Sequence, residues 1–364
     1  MKLPSLTIKG HTLTAPIVQG GMGIGVSLHP LARAVAEEGG AGIISSAGLD
    51  RLLSKRNGRK YDAYEAAYEE ASLAKDRGGV TGINIMVALV RDYVDSVKGA
   101  LDAGVDLIIS GAGLPMSLPS IAQIKDTALV PIVSSARALK IIIKRWERQK
   151  YRPDAVVLEG PLAGGHLGFG LEEIDKEENR LETLLPPVKE MAQQHGDIPV
   201  IVAGGIYTHE DIVRFLKLGA DGVQMGTRFL ATEESTATEP YKQAVLRATQ
   251  EDIVIAVRPA SPCGFPFRVL RESPMYVEAQ QGLREPKCDK GYVLLKDEEG
   301  KFTKCPAKLK ENAREYFCIC NGLLSSADYN ADKEKPLYTV GTNAHRIDRI
   351  MSVHELMSEL KASA

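Results

Sequence analysis

Residues 199–231, PVIVAGGIYTHEDIVRFLKLGADGVQMGTRFLA, constrain the fold more than any other stretch. Pro199–Ala203 is apolar and β-branched, the composition of a strand buried on both faces. Gly204 and Gly205 then allow a close backbone approach. Thr208 to Leu218 has helical spacing, with Thr208 as N-cap and Gly219 just past the end. Ala220 to Met225 predicts the next strand, and Gly226-Thr227 opens the next helix. Two such units in tandem set two groups of free backbone N–H side by side, an arrangement that binds anions. In a (β/α)8 barrel the loops after strands 7 and 8 commonly hold a phosphate. The competing reading is that these glycines only make tight turns.

The rest of the chain keeps the same rhythm. Strands are predicted at Ala15–Gln19, Gly42–Ser45, Val80–Val87, Asp106–Ser110, Leu129–Ser134 and Asp154–Leu158. Helices are predicted at His29–Glu38, Tyr61–Arg77, Arg91–Ala103, Ser117–Lys125, Ala136–Lys150 and Leu181–His195. With residues 199–231 this makes eight strands alternating with helices, the count of a TIM barrel. A doubly wound open sheet is the alternative, and the second phosphate-type turn argues against it. The rhythm stops near Ala231. We therefore expect a barrel over 1–235, an appendage over 236–340 covering the active-site face, and a C-terminal helix within 341–364 packed on the barrel. In that last segment Ile347, Ile350, Met351, Val353, Leu356 and Leu360 are spaced for one helical face.

Charge and hydropathy narrow the function. A formal net charge of −2 over 364 residues gives no reason to expect nucleic acid or an acidic membrane as partner. No apolar run reaches the roughly 18 residues of a membrane helix. The start, MKLPSLTIKG, has no apolar signal core, so a cytoplasmic, reducing location is expected.

The candidate chemistry lies after the sixth strand, in EGPLAGGHLGFG. His166 stands there among five glycines, Gly160, Gly164, Gly165, Gly168 and Gly170, just past the C-terminal end of a barrel strand. Barrel active sites occupy that face. Glycines bring backbone close to a flat ligand, and histidine exchanges protons near neutral pH. A satisfied surface histidine on a flexible loop is the bland alternative. Gly20-Gly21-Met22-Gly23 has no Walker lysine and no dinucleotide fingerprint, which leaves packing against a ligand face or a plain turn. Asn84 and Gln224 are polar residues in apolar strands and need partners if buried. Glu159 and Asp106 read as structural or supporting groups.

PIVQGGMG, GINIMV, EGPLAGGHLG, PVIVAGGI and DGVQMGTRFL together resemble the nitronate monooxygenase (2-nitropropane dioxygenase) family of FMN-dependent TIM barrels. That family also contains flavin-dependent enoyl-acyl-carrier-protein reductases and NAD(P)H:quinone reductases. The resemblance covers about residues 1–235 and recurs in SPCGFPFRVL and VGTNAHRIDRIMSVHEL. It implies that Gly204, Gly205, Gly226 and Thr227 hold the FMN phosphate. It places Gly21, Met22, Gly23 and Gly165 against the cofactor, Asn84 and Gln224 near its polar edge, Ser134 facing its ring, and His166 as the catalytic residue. It implies oxidation of alkyl nitronates or nitroalkanes with O2, or, in the reductase branch, NAD(P)H as co-substrate. A phosphate-binding barrel without redox chemistry is the alternative of another class. A small-molecule substrate and a second copy of the chain are the expected partners.

All five cysteines fall beyond the barrel, four of them spaced C-x16-C-x12-C-x-C at Cys288, Cys305, Cys318 and Cys320. Four thiolates suit zinc or iron, but the two CxxC hooks of a zinc ribbon are missing. Plain thiols are the competing reading.

Overall fold

The computed structural model describes residues 3–257, 260–283, 285–286 and 316–362. Eight parallel strands close into a barrel: Ile17–Gln19, Ala41–Ser45, Val80–Met86, Leu107–Gly111, Ala128–Val133, Val156–Glu159, Val200–Ala203 and Gly222–Met225. Each pairs with its successor, and the eighth pairs with the first through Val223 opposite Ile17 and Gln224 opposite Val18. This is the TIM barrel that the alternation predicts.

Strand side chains alternate between two cores. Val18, Ile43, Leu107, Ile109, Val130, Val157 and Ile201 fill the barrel interior. Ile17, Ile44, Ile83, Ile108, Leu158, Val202 and Val223 face the surrounding helices. A hairpin, Leu6–Ile8 against His11–Leu13, precedes the barrel, and Leu6, Ile8 and Leu13 join the interior core.

The helices follow local rules. Thr208 caps His209–Lys217 with a reciprocal box to Asp211, and Asp62 does the same with Glu65 for Ala63–Lys75. Leu49–Asn57 is an additional helix between the second strand and Ala63–Lys75. The predicted helix Ser117–Lys125 is instead one short 3-10 turn, Leu118–Ser120. There the carbonyls of Pro115 and Met116 accept from Trp146 Nε1 of the next helix, Ala136–Glu147, and from Gln149 Nε2 just past its end, which ties the turn to that helix. The helix predicted within residues 346–361 starts later, at Val353, capped by Ser352.

Beyond the barrel, strands Ile253–Ala256 and Phe267–Leu270 form an antiparallel sheet whose third strand is Gly165–His166, from the loop after the sixth barrel strand. The C-terminal helix Val353–Lys361 buries Val353, Leu356, Met357 and Leu360 in the core between barrel and helices. Arg228, buried at the eighth turn, grips Glu359 of that helix with both Nη atoms at 3.1 Å. No described helix is long and apolar enough to cross a membrane.

Candidate functional site

The C-terminal mouth of the barrel carries polar side chains above the apolar interior. Extending the inward alternation by one step brings Ser45, Asn84, Ser134, Glu159 and Gln224 to the top of the interior. Register ties them into one ring: Ser45 lies opposite Asn84, and Ala203 lies opposite both Glu159 and Gln224. Such groups ordinarily pair when buried. Here Gln224 is 9% exposed and, among the described residues, its Oε1 has no partner. Burial alone pushes the Glu159 carboxyl up to about 7. At that value it stands half-protonated at neutral pH, able to donate as well as accept.

The glycines predicted around the mouth crowd against these same residues. A Cβ on Gly21 would meet Asn84 Cβ at 2.6 Å and Ile44 O at 2.9 Å, and one on Gly20 would meet Gln224 Cγ at 3.3 Å. One on Gly23 would meet Ser45 Oγ at 2.9 Å. Met22 lies over Gly226, its Sδ 3.5 Å from where a Cβ would stand. Gly168 faces Ser134 Oγ at 3.8 Å in the same sense. The first, second, third, fifth, sixth and eighth strands thus each bring small or polar groups to the mouth.

Gly204 and Gly205 adopt φ of +103° and +77°, the left-handed region where a side chain is strained. A cavity of about 330 Å³ opens beside them, lined by Pro161, Leu162, Arg180 and Arg214 among others. The C-terminal segment crosses both glycine turns. Gly341 N donates to Thr227 Oγ1 at 2.8 Å, and Asn343 Nδ2 donates to Gly205 O at 2.7 Å. Thr342 N donates to Leu162 O between them. Thr227 Oγ1 accepts there, so its own proton is left for another acceptor.

His166 is set by the appendage. Its strand pairs His166 with Phe267, and the two rings meet edge to face at 4.5 Å. Nε2 lies 3.1 Å from Cys263 Sγ. Burial pushes the imidazole down to about 4, so it is neutral at physiological pH. Arg268, next to Phe267 in the partner strand and 3% exposed, donates from Nη1 to the carbonyls of Pro161 and Ala163 and so clamps the loop leading to His166. Desolvation pushes that guanidinium down to about 10.

Sequence reasoning weighed Glu159 as a supporting group and overlooked Cys263, Arg268 and Asn343. An arginine in the apolar run FPFRVL and an asparagine in VGTNAH were the available signals. Asp106 is structural, as expected: Oδ2 accepts from Thr81 N at 2.9 Å and Oδ1 from Lys75 at 3.0 Å. Of the four proposed thiolates, Cys288 and Cys305 lie outside the described residues. Cys318 Sγ accepts from Asn321 N at the start of the helix Ile319–Ser326. Among the described residues no cluster of three or more His, Cys, Asp or Glu could hold a metal.

The nitronate monooxygenase family model matches residues 55–363. The chain belongs to that family. It is thereby an oxidoreductase of the FMN-dependent type. It is 29% identical over 263 residues to a probable nitronate monooxygenase of Bacillus subtilis, covering 67% of this chain and 74% of the relative. It is also 29% identical over 289 residues to a Mycobacterium tuberculosis (3aS,4S,5R,7aS)-5-hydroxy-7a-methyl-1-oxo-octahydro-1H-indene-4-carboxyl-CoA dehydrogenase, covering 79% of this chain and 70% of that protein. Among solved structures it is similar to FabK from Thermotoga maritima, with a TM-score of 0.68, 25% identity and coverage of 98% and 92%. A nitroalkane oxidase from Streptomyces ansochromogenes shares the fold at a TM-score of 0.65 and 22% identity, covering 95% and 94%.

Proposed function

We propose that this member of the family is an FMN enzyme that oxidises alkyl nitronates or nitroalkanes with O2. One observation carries the reading: a neutral, desolvated His166 stands on the loop leaving a barrel mouth ringed by polar side chains, with Gln224 Oε1 buried and without a partner among the described residues. An orphaned buried acceptor calls for a donor on a ligand. Gly204, Gly205, Gly226 and Thr227 would hold the phosphate, and the free Thr227 proton suits an anion. Gly21, Met22, Gly23, Gly165 and Ser134 would lie against the ring, with Asn84, Gln224 and Glu159 toward its polar groups. When bound, FMN supplies the redox chemistry, and the chain supplies position, electrostatics and proton handling.

His166 would take the proton from the carbon beside a nitro group, or hold a substrate already ionised. In a desolvated pocket a lone imidazolium is costly. Proton transfer from a nitroalkane creates cation and anion as an adjacent pair, so attraction between them offsets the desolvation. Leu167 and Phe169, both buried, and Ile174 form an apolar cluster beside the loop that keeps water out.

Coverage of FabK over 98% of this chain favours a second reading, an NAD(P)H-dependent reductase or dehydrogenase on the same site. Mass spectrometry of the heat-released chromophore tests the cofactor. Anaerobic stopped-flow with a nitronate, NADH and NADPH then ranks the reductants. Fast flavin reduction by NADPH with none by the nitronate would replace the first reading by the second.

A further inference from the structure

The hydrogen bonds around His166 run as a directed chain. Ser261, fully buried, donates its hydroxyl proton to Phe265 O at 2.5 Å. A hydroxyl has one proton to give, so toward any other neighbour Ser261 Oγ accepts. That neighbour is Cys263 Sγ at 3.4 Å. The thiol too has one proton. Directed at Ser261, it leaves Sγ as the acceptor facing His166 Nε2 at 3.1 Å. Every contact is then satisfied in order: Nε2–H to Sγ, S–H to Oγ, O–H to the Phe265 carbonyl. The reverse arrangement, thiol donating to Nε2, leaves Ser261 Oγ and Sγ in contact with no proton between them.

The backbone holds this chain in place. Gly264 N donates to Ser261 O, closing the turn that carries Cys263. Leu167 N donates to Pro266 O, and His166 pairs with Phe267, so the histidine strand and the cysteine turn form one sheet edge. The ring is pinned by Phe267 against one side. Among the described residues Nδ1 has no partner.

From this geometry we infer that Cys263 is a positioning residue that fixes His166 as its Nε2–H tautomer and leaves Nδ1 as the basic atom of the site. The two ring nitrogens of a neutral histidine are not interchangeable, and the one that is hydrogen-bonded behind decides which is presented in front. The consequence for the reaction rests on the reading of His166 as the proton-handling group; the tautomer itself does not.

Long-range proton–nitrogen spectra of the protein labelled with 15N-histidine, as purified, report the tautomer directly. Wild type should give a protonated-type Nε2 and an unprotonated-type Nδ1 for His166, assigned by its loss in His166→Gln. Cys263→Ser, whose hydroxyl can accept and donate in the same places, should keep that pattern. Cys263→Ala should lose it and give a mixture of tautomers. In turnover, Cys263→Ala should lower kcat at least tenfold with KM changed less than twofold, and Cys263→Ser should restore most of kcat. A wild-type spectrum with the proton on Nδ1 overturns the inference, as does an unchanged tautomer in Cys263→Ala. A correct tautomer pattern with full activity in His166→Gln would leave the inference standing and overturn the proton-handling reading instead.

Discussion

Replacing Glu159 by glutamine measures what the barrel mouth does to an ionisable group. The carboxyl faces the barrel interior, and burial raises it from 4.5 to about 7. Each pK unit corresponds to 1.36 kcal/mol, so a rise of about 2.5 units is worth about 3 kcal/mol. The sign follows from which state keeps the proton. Below about pH 4.5 the carboxyl is neutral whether the chain is folded or unfolded, and it costs nothing. Between about 4.5 and 7 the unfolded chain gives up its proton while the folded chain retains it, so stability falls as pH rises. Above about pH 8 the loss levels off near 3 kcal/mol. Glutamine has the same shape and nothing to titrate. Flavin-free Glu159→Gln should therefore match the wild type near pH 5 and exceed it by about 3 kcal/mol near pH 8. Urea unfolding of both proteins across that range is the assay. A stability difference that stays constant with pH would refute the reasoning, because it would mean that the carboxyl is solvated or paired in the folded state.

Other substitutions separate the remaining roles. Gly205→Val should weaken FMN binding at least tenfold by equilibrium dialysis, because its Cβ meets Leu162 Cδ1 at 2.8 Å and its φ of +77° is strained for valine. His166→Ala should keep the flavin and lose ~10² to 10⁴ in turnover, the usual contribution of a positioned acid or base; a variant that loses flavin instead would make His166 a cofactor residue. Arg268→Met should leave the carbonyls of Pro161 and Ala163 unpaired, costing about 1–3 kcal/mol in thermal or urea unfolding.

The barrel was legible because its signals are local and repeated. Each strand is a short apolar run and each turn a glycine, and the two cores need only period-two alternation. The glycine turns after strands 7 and 8 fall where the spacing puts them. The 3-10 turn at Leu118–Ser120 was not legible, since the side chains that hold its approach, Trp146 and Gln149, lie some thirty residues away. Glu159 was passed over for a related reason. Its charge reads as a supporting group until the parity of Val157 and the register with Ala203 turn it inward. The partners of His166 were hidden most deeply. A glycine-rich loop reads as irregular, and nothing near Gly165 announces pairing with a strand 100 residues further on. The loop becomes a strand because the appendage supplies an edge for it.

The crossing of Gly341–Asn343 over both glycine turns has a consequence for how the molecule is made. Asn343 follows Met225, the end of the eighth barrel strand, by 118 positions. A chain emerging from the ribosome has its whole barrel in hand long before Gly341 can reach Thr227 or Asn343 can reach Gly205. Through that interval the Gly205 carbonyl and the Thr227 hydroxyl lack the contacts that orient them, and the turns keep the freedom that glycine gives them. With the phosphate held there as proposed, anion capture at those turns belongs to the end of synthesis. A nascent barrel arrested before residue 341 would lack these contacts together with the helix Val353–Lys361 that completes its outer core, so a cofactor held at these turns as proposed would be loaded by the released full-length chain.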